Sequence, residues 1–306
     1  IADEYITISG GKFTVDLAGV SALYKFNITG GDVTFKSSEE FGSSDRCNIT
    51  VKGYSAKVTI DGKIELEAVE LSGGTFTTNS TEAYINDLSI YGGKADIDGA
   101  YIRTITINGG DTVIKDVIAH SLSMVGSRFG NLSIVSGRFH IVTFFGYTLG
   151  KAIASGSRVI GHDMSGVILY KYADIQSKTE IDSIVVEKCD HKDKYGSYVL
   201  DGNPCPYCNE EIVATVSYTA DGSEKTEPFS DVCDAFGKAN EAGTATVTLY
   251  KDNSDGLTRA IHVTGNVTLE LNGHDLSITY YTSTITVDDG GTLTVNGGEN
   301  DELLIV

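Results

Sequence analysis

One phrase recurs along the first half of the chain and limits what that chain can become. Apolar and polar residues alternate, and a glycine pair follows. It reads ITISGGKF from Ile6, FNITGGDV from Phe26, VELSGGTF from Val69, LSIYGGKA from Leu88 and ITINGGDT from Ile105, with LSIVSGRF from Leu132 as a variant. The leading glycines Gly10, Gly30, Gly53, Gly73, Gly92, Gly109 and Gly126 lie 20, 23, 20, 19, 17 and 17 residues apart. Short alternating runs rich in Val, Ile and Thr are half-buried strands, and glycine lets the backbone turn after each of them. About twenty residues hold three such strands with their turns, which is one coil of a solenoid. A coil cannot bury its inner face alone, so coils stack roughly 4.8 Å apart. An antiparallel sandwich or barrel also spaces strands regularly, but it is built on hairpin turns. Here the glycine pair returns once per period in the same place. Residues 1–187 are therefore predicted to form an all-β, parallel β-solenoid (β-helix). The register weakens after Gly126, because the next matching glycine, Gly137, is only eleven residues on.

Composition agrees with strands and turns: there are 35 Gly, 3 Pro and no Trp, and long Ala/Leu/Glu runs are lacking. The formal net charge of −19 argues against nucleic acid as a partner. No run of 18 apolar residues exists, so no membrane-inserted helix is expected. The start at Ile1, without a Met or a basic segment, reads as a processed or excised fragment.

The character of the chain changes near residue 188. Residues 188–211 form a polar linker carrying Pro204, Pro206 and three of the five cysteines. Residues 212–306 read as a second β-helical module, truncated at Val306 and capped by one short helix over Ser230–Ala242. Ser230 can cap that helix, Asp231 suits its first turn and Gly243 ends it. Phe229, Val232, Cys233, Phe236 and Ala239 fall on one face.

The sharpest chemical signal is Cys189-x-His191 followed by Cys205-x-x-Cys208. Two close ligand pairs across a short loop suit tetrahedral Zn²⁺, which takes thiolate and imidazole ligands. A disulfide, Cys205–Cys208 or Cys189–Cys208, is the alternative. If metal is bound its role is structural, because four protein ligands leave no open position. Cys47 and Cys233 read as small buried apolar residues.

Charge is also segregated. From Val117 to His162 there is no Asp or Glu, in a chain with 42 of them. Arg128, Arg138, His140, Phe144, Phe145, Tyr147 and Arg158 fall in this window and are the candidate ligand-binding residues. Catalysis finds less support. Asp288-Asp289 and two Gly-His-Asp triplets are present, but the NTD, GHG and RIK elements of β-helical polygalacturonases are missing, and no catalytic residue is assigned.

The phrases PFSDVCDAFGKANEAGTATVTLYKD, VTLELNGHDLSI and GTLTVNGG in about the last 95 residues resemble repeat-built extracellular surface proteins of Gram-positive, gut-type bacteria with pectin-lyase-like β-helix modules. The resemblance implies a secreted, modular protein on the bacterial cell surface. The expected function is a non-catalytic adhesin or binding module that presents a solenoid face to a host glycoprotein, another host protein or a glycan. A structural spacer and a glycan-cleaving lyase or hydrolase are the alternatives.

Overall fold

A computed structural model describes residues 4–18, 24–37, 47–125, 130–192, 204–253, 257–278, 284–298 and 303–305. The chain divides into two compact units, Ile1–Cys189 and Asp190–Val306. Both are β-solenoid in arrangement.

The first unit opens with the strands β1 (Glu4–Asp16), β2 (Tyr24–Ser37), β3 (Cys47–Val51), β4 (Ala56–Gly62), β5 (Glu65–Leu71) and β6 (Thr75–Asn79). It continues with β7 (Tyr84–Ile90), β8 (Lys94–Ile107), β9 (Gly110–Val125), β10 (Gly130–Ile134) and β11 (Gly137–Phe145). All pairings among these strands are parallel. They make two walls. The first runs through the start of β1 and β2, β3, β5, β7, the second halves of β8 and β9, and β11. The second runs through the end of β1 and β2, β4, β6, the first halves of β8 and β9, and β10. Each coil thus holds two strand segments rather than the three expected. Segments of five to nine residues, joined by turns of a few residues, already consume the period of about twenty.

The glycine pair divides its work. Its first member is glycine for space: a β-carbon on Gly73 would lie 2.7 Å from the Lys52 carbonyl oxygen of the preceding coil, and one on Gly109 2.7 Å from that of Tyr91, while at the lone leading glycine Gly53 it would lie 1.6 Å from that of Thr29. Its second member is glycine for conformation, as at Gly74 with φ +74°. Alternation then sends every second side chain inward. One inner column runs through Ile8, Ile28, Val51, Leu71, Ile90, Ile107, Met124 and Phe144, all at most 9 % exposed. The inward residues of both walls form a single core.

The parallel stack ends in an antiparallel cap. Here α1 (Leu149–Ala152), β12 (Ser157–Asp163), β13 (Ile168–Leu169), α2 (Tyr172–Ile175) and β14 (Glu180–Lys188) follow in order. β14 lies antiparallel between β11 and β12, and β13 pairs antiparallel with β12. The broken spacing between Gly126 and Gly137 falls before this cap, where β10 and β11 still run parallel to β9; what sets the cap apart is a change of strand direction. The cap holds a partly buried ion pair, Asp163 with Lys178, whose carboxylate also accepts N–H bonds from Ser165 and Val167.

The second unit begins with the hairpin β15 (Ala214–Ala220) and β16 (Ser223–Phe229), then α3 (Val232–Ala242) and β17 (Thr244–Leu249). The remaining strands are β18 (Ile261–Val263), β19 (Asn266–Glu270), β20 (Leu276–Ile278), β21 (Ile285–Val287), β22 (Thr292–Asn296) and β23 (Leu303–Ile305). β17 is antiparallel to β15 but parallel to β19. The later strands stack as β17–β19–β22, β18–β21 and β20–β23, all parallel. Three strands per coil are therefore found in this unit. α3 buries Val232, Cys233, Ala235, Phe236 and Ala239 and is closed by Gly243 at φ +75°. Its cap is Asp231 rather than Ser230: the Asp231 carboxylate accepts the N–H groups of Cys233 at 2.7 Å and Asp234 at 3.1 Å. A carboxylate two residues before the first free N–H groups reaches them from outside the helix and also meets the positive end of its dipole.

Candidate metal centre

The residues that approach the cluster are set by backbone turns. β14 delivers Cys189, whose N–H donates to the Gly156 carbonyl at 2.7 Å. His191 then takes a left-handed conformation, φ +55°, which sharply redirects the chain. The CPYC segment is a turn closed by the Asn209 N–H donating to the Cys205 carbonyl and the Cys205 N–H donating to the Glu210 carbonyl, each at 2.7 Å. Asn209 ends it at φ +60°, a conformation that asparagine tolerates better than most residues. Pro204 and Pro206 restrict the chain on either side of Cys205.

The result is four ligand atoms, from Cys189, His191, Cys205 and Cys208, all within 4.8 Å of one another. All four residues are buried, between 1 % and 8 % exposed. None of the five cysteines is in a disulfide. The Cys208 Sγ lies 3.7 Å from His191 Nδ1. With zinc bond lengths and tetrahedral angles, a thiolate and an imidazole ligand stand about 3.6 Å apart, so this edge fits. His191 Nε2 is 3.7 Å from a Glu210 carboxylate oxygen. That carboxylate is placed to fix the imidazole so that Nδ1 faces the thiols, the usual outer support of a metal-bound histidine. The donor set fits a tetrahedral ion with no coordination position left for a substrate.

The other two thiols lie apart from this group. Cys47 is buried in the first unit's core, where burial pushes its thiol up to about 12. Cys233 sits on the buried face of α3.

The candidate binding residues of the acid-free window are not brought together as one surface. Arg138 and His140 are exposed on β11, and the His140 ring centroid lies 5.9 Å from that of His120 on β9. Phe145 is 58 % exposed at the far end of β11. Phe144, in contrast, is 3 % exposed at the end of the inner column and cannot touch a ligand. Tyr147 is half-buried against the core, with its hydroxyl donating to the Lys151 carbonyl. Arg158 is on β12, held by the Glu187 carboxylate at 2.7 and 2.8 Å, so its charge is already partnered. Arg128 lies outside the described residues. Sequence reasoning missed Arg103, exposed on β8, which joins the same wall as Arg138. It lies outside the acid-free stretch of sequence, because only the second half of β8 is free of acids.

The chain matches no protein-family model, no curated protein and no solved structure. Among the described residues no helix is long and apolar enough to cross a membrane.

Proposed function

We propose that the protein is a non-catalytic binding module of a bacterial cell surface, with a structural zinc ion held by Cys189, His191, Cys205 and Cys208. Its solenoid offers the first wall of the first unit to a host protein or glycan. The observation that carries this reading is the outer face across β8, β9 and β11. Residues 101–107, 117–125 and 137–145 present no carboxylate there, in a chain of net charge −19. The zinc assignment rests on three thiols and one imidazole converging with a supporting carboxylate, a donor set soft enough to favour zinc over calcium or magnesium. The ion's role is to order a polar segment that buries little apolar surface.

Two experiments test the two halves. Pull-down on host surface extracts is expected to recover a partner, and Arg138→Glu to lose it. Retention of the partner by that variant, or cleavage of any polysaccharide by the protein, overturns the binding-module reading. Metal analysis of protein purified without chelators is expected to give close to one zinc per chain. Glu210→Gln is expected to weaken zinc affinity about tenfold against a competing chelator. A zinc content far below stoichiometry, with Cys205 and Cys208 resistant to alkylation until reduced, means a disulfide instead.

A further inference from the structure

The acid-free wall also points to a class of ligand, on the footing that this wall is the binding face. Strand register stacks the outer residues of the first wall in rows across the coils. Tyr84 pairs with Tyr101, Tyr101 with Ile118, and Ile118 with Arg138. The next outward row is Asn86, Arg103, His120 and His140, with Arg103 Nη1 donating to Asn86 Oδ1 at 3.3 Å. Beyond it Thr106, Ser123 and Thr143 form a row of hydroxyls.

The carboxylates stand around this patch, not in it. Glu65, Glu67 and Glu70 are on β5, and Asp87 is on β7 opposite Thr104. On the far side Glu180 pairs with Thr143, and Asp182 is next to Ile181, the partner of Val142. Three strands span roughly 15 Å at the ordinary strand spacing. At physiological ionic strength charges are screened within about 8 Å, so the local island and not the net charge decides what can sit on it.

We infer that this island binds an extended acidic polysaccharide lying across the coils. Its anionic groups meet Arg103 and Arg138, its hydroxyls meet His120, His140 and the Thr106–Ser123–Thr143 row, and a ring packs against Tyr101. Several features favour a sugar over an acidic peptide. The polar groups of the face recur once per strand, about 4.8 Å apart, close to the length of one pyranose residue. Tyr101 is stacked on Tyr84, with ring centroids 5.2 Å apart and planes 9° apart, which covers one face of its ring and fixes the orientation of the other, on the side of its row partner Ile118. That remaining face suits edge-on packing of the apolar face of a sugar ring. Guanidinium groups pair with carboxylate or sulfate in two-pronged fashion.

The test uses the whole chain and fluorescently labelled octasaccharides of heparin and of polygalacturonate, followed by anisotropy at physiological salt. Binding of at least one is expected, with no binding of a neutral dextran octasaccharide. Arg103→Glu with Arg138→Glu is expected to weaken it by about tenfold or more, because two attractive contacts to the sugar's anionic groups become repulsive. Lys57→Glu with Lys94→Glu places the same charge change on exposed positions of the second wall and is expected to leave affinity within about twofold. All four positions are at the surface, and unchanged thermal unfolding confirms that the variants are folded. The inference is overturned by absence of binding to both acidic sugars, by equal loss in the two double variants, or by tighter binding to polyglutamate or to phosphatidylserine vesicles. A negative result here with a host partner still lost in Arg138→Glu sinks only the ligand class. A partner indifferent to Arg138→Glu sinks the face itself.

Discussion

Two glycines show how differently the same residue is used. Gly53 lies against the Thr29 carbonyl of the preceding coil, where a β-carbon has no room. Gly237, inside α3, has nothing within 4 Å of its missing β-carbon. Gly53→Ala is therefore expected to prevent stacking of that coil and to lower the unfolding midpoint sharply or abolish soluble expression. Gly237→Ala is expected to raise stability by about 0.5–1 kcal/mol, through better helix propensity alone. Urea unfolding of both variants checks the opposite signs. Asp163 makes a second prediction at this scale. The Lys178 ammonium, then the Val167 N–H, with that of Ser165, hold its carboxyl below the usual carboxylate range against the opposing effect of burial. A depressed folded value means that the stability it contributes is complete above the ordinary carboxylate value of about 3.9 and is lost as pH falls through the lower folded one. Unfolding midpoints measured from neutral pH down into that acid range should fall more steeply for the native protein than for Asp163→Asn.

Among the elements, α3 is where a local rule meets a tertiary one. Burial raises the Asp231 carboxyl, but the Thr258 hydroxyl and the Asp234 and Cys233 N–H groups together outweigh it and keep the group ionised. Asp231→Ala is expected to destabilise the second unit by about 1 kcal/mol, and Asp231→Asn by less, measured by chemical denaturation. The helix, its buried stripe and its terminal glycine were legible in the sequence. The capping residue was misplaced by one, because Ser230 and Asp231 are both good caps by type and only the fold shows that Asp231 accepts the Cys233 and Asp234 N–H groups. Phe144 and Phe145 teach a related lesson. VTFFG repeats the pattern of ITISG, which puts Phe144 in the place of Ile8, inward, and Phe145 in that of Ser9, outward. Composition made the two look alike, and the period separates them. The four residues that could hold a metal ion were legible from spacing alone, whereas the Glu210 carboxylate behind His191 was not, since nothing in the sequence marks which acid will fold back onto the ring. The antiparallel cap was equally hidden, because β14 alternates like any coil strand and only its direction differs.

At the level of the whole molecule, stability is distributed along stacks in which each coil touches chiefly its neighbours. The walls stay in register although the leading glycines of successive coils are 17 to 23 residues apart. Surplus residues leave the walls in turns and do not shift the strands. Removing Gly73–Tyr91 takes out β6 and β7 together and joins Ser72 to Gly92, so β5 meets β8 by the same inward columns that β7 used. That shortened chain is expected to fold, to keep its circular dichroism signature of strands and to unfold cooperatively, while a deletion of half that length should not. Such a wall changes length in whole steps. Gene duplication or loss of a single period therefore alters how many coils lie between β1 and the cap without disturbing either, and lineages carrying this chain can vary its span as one adjusts a ladder, by the rung.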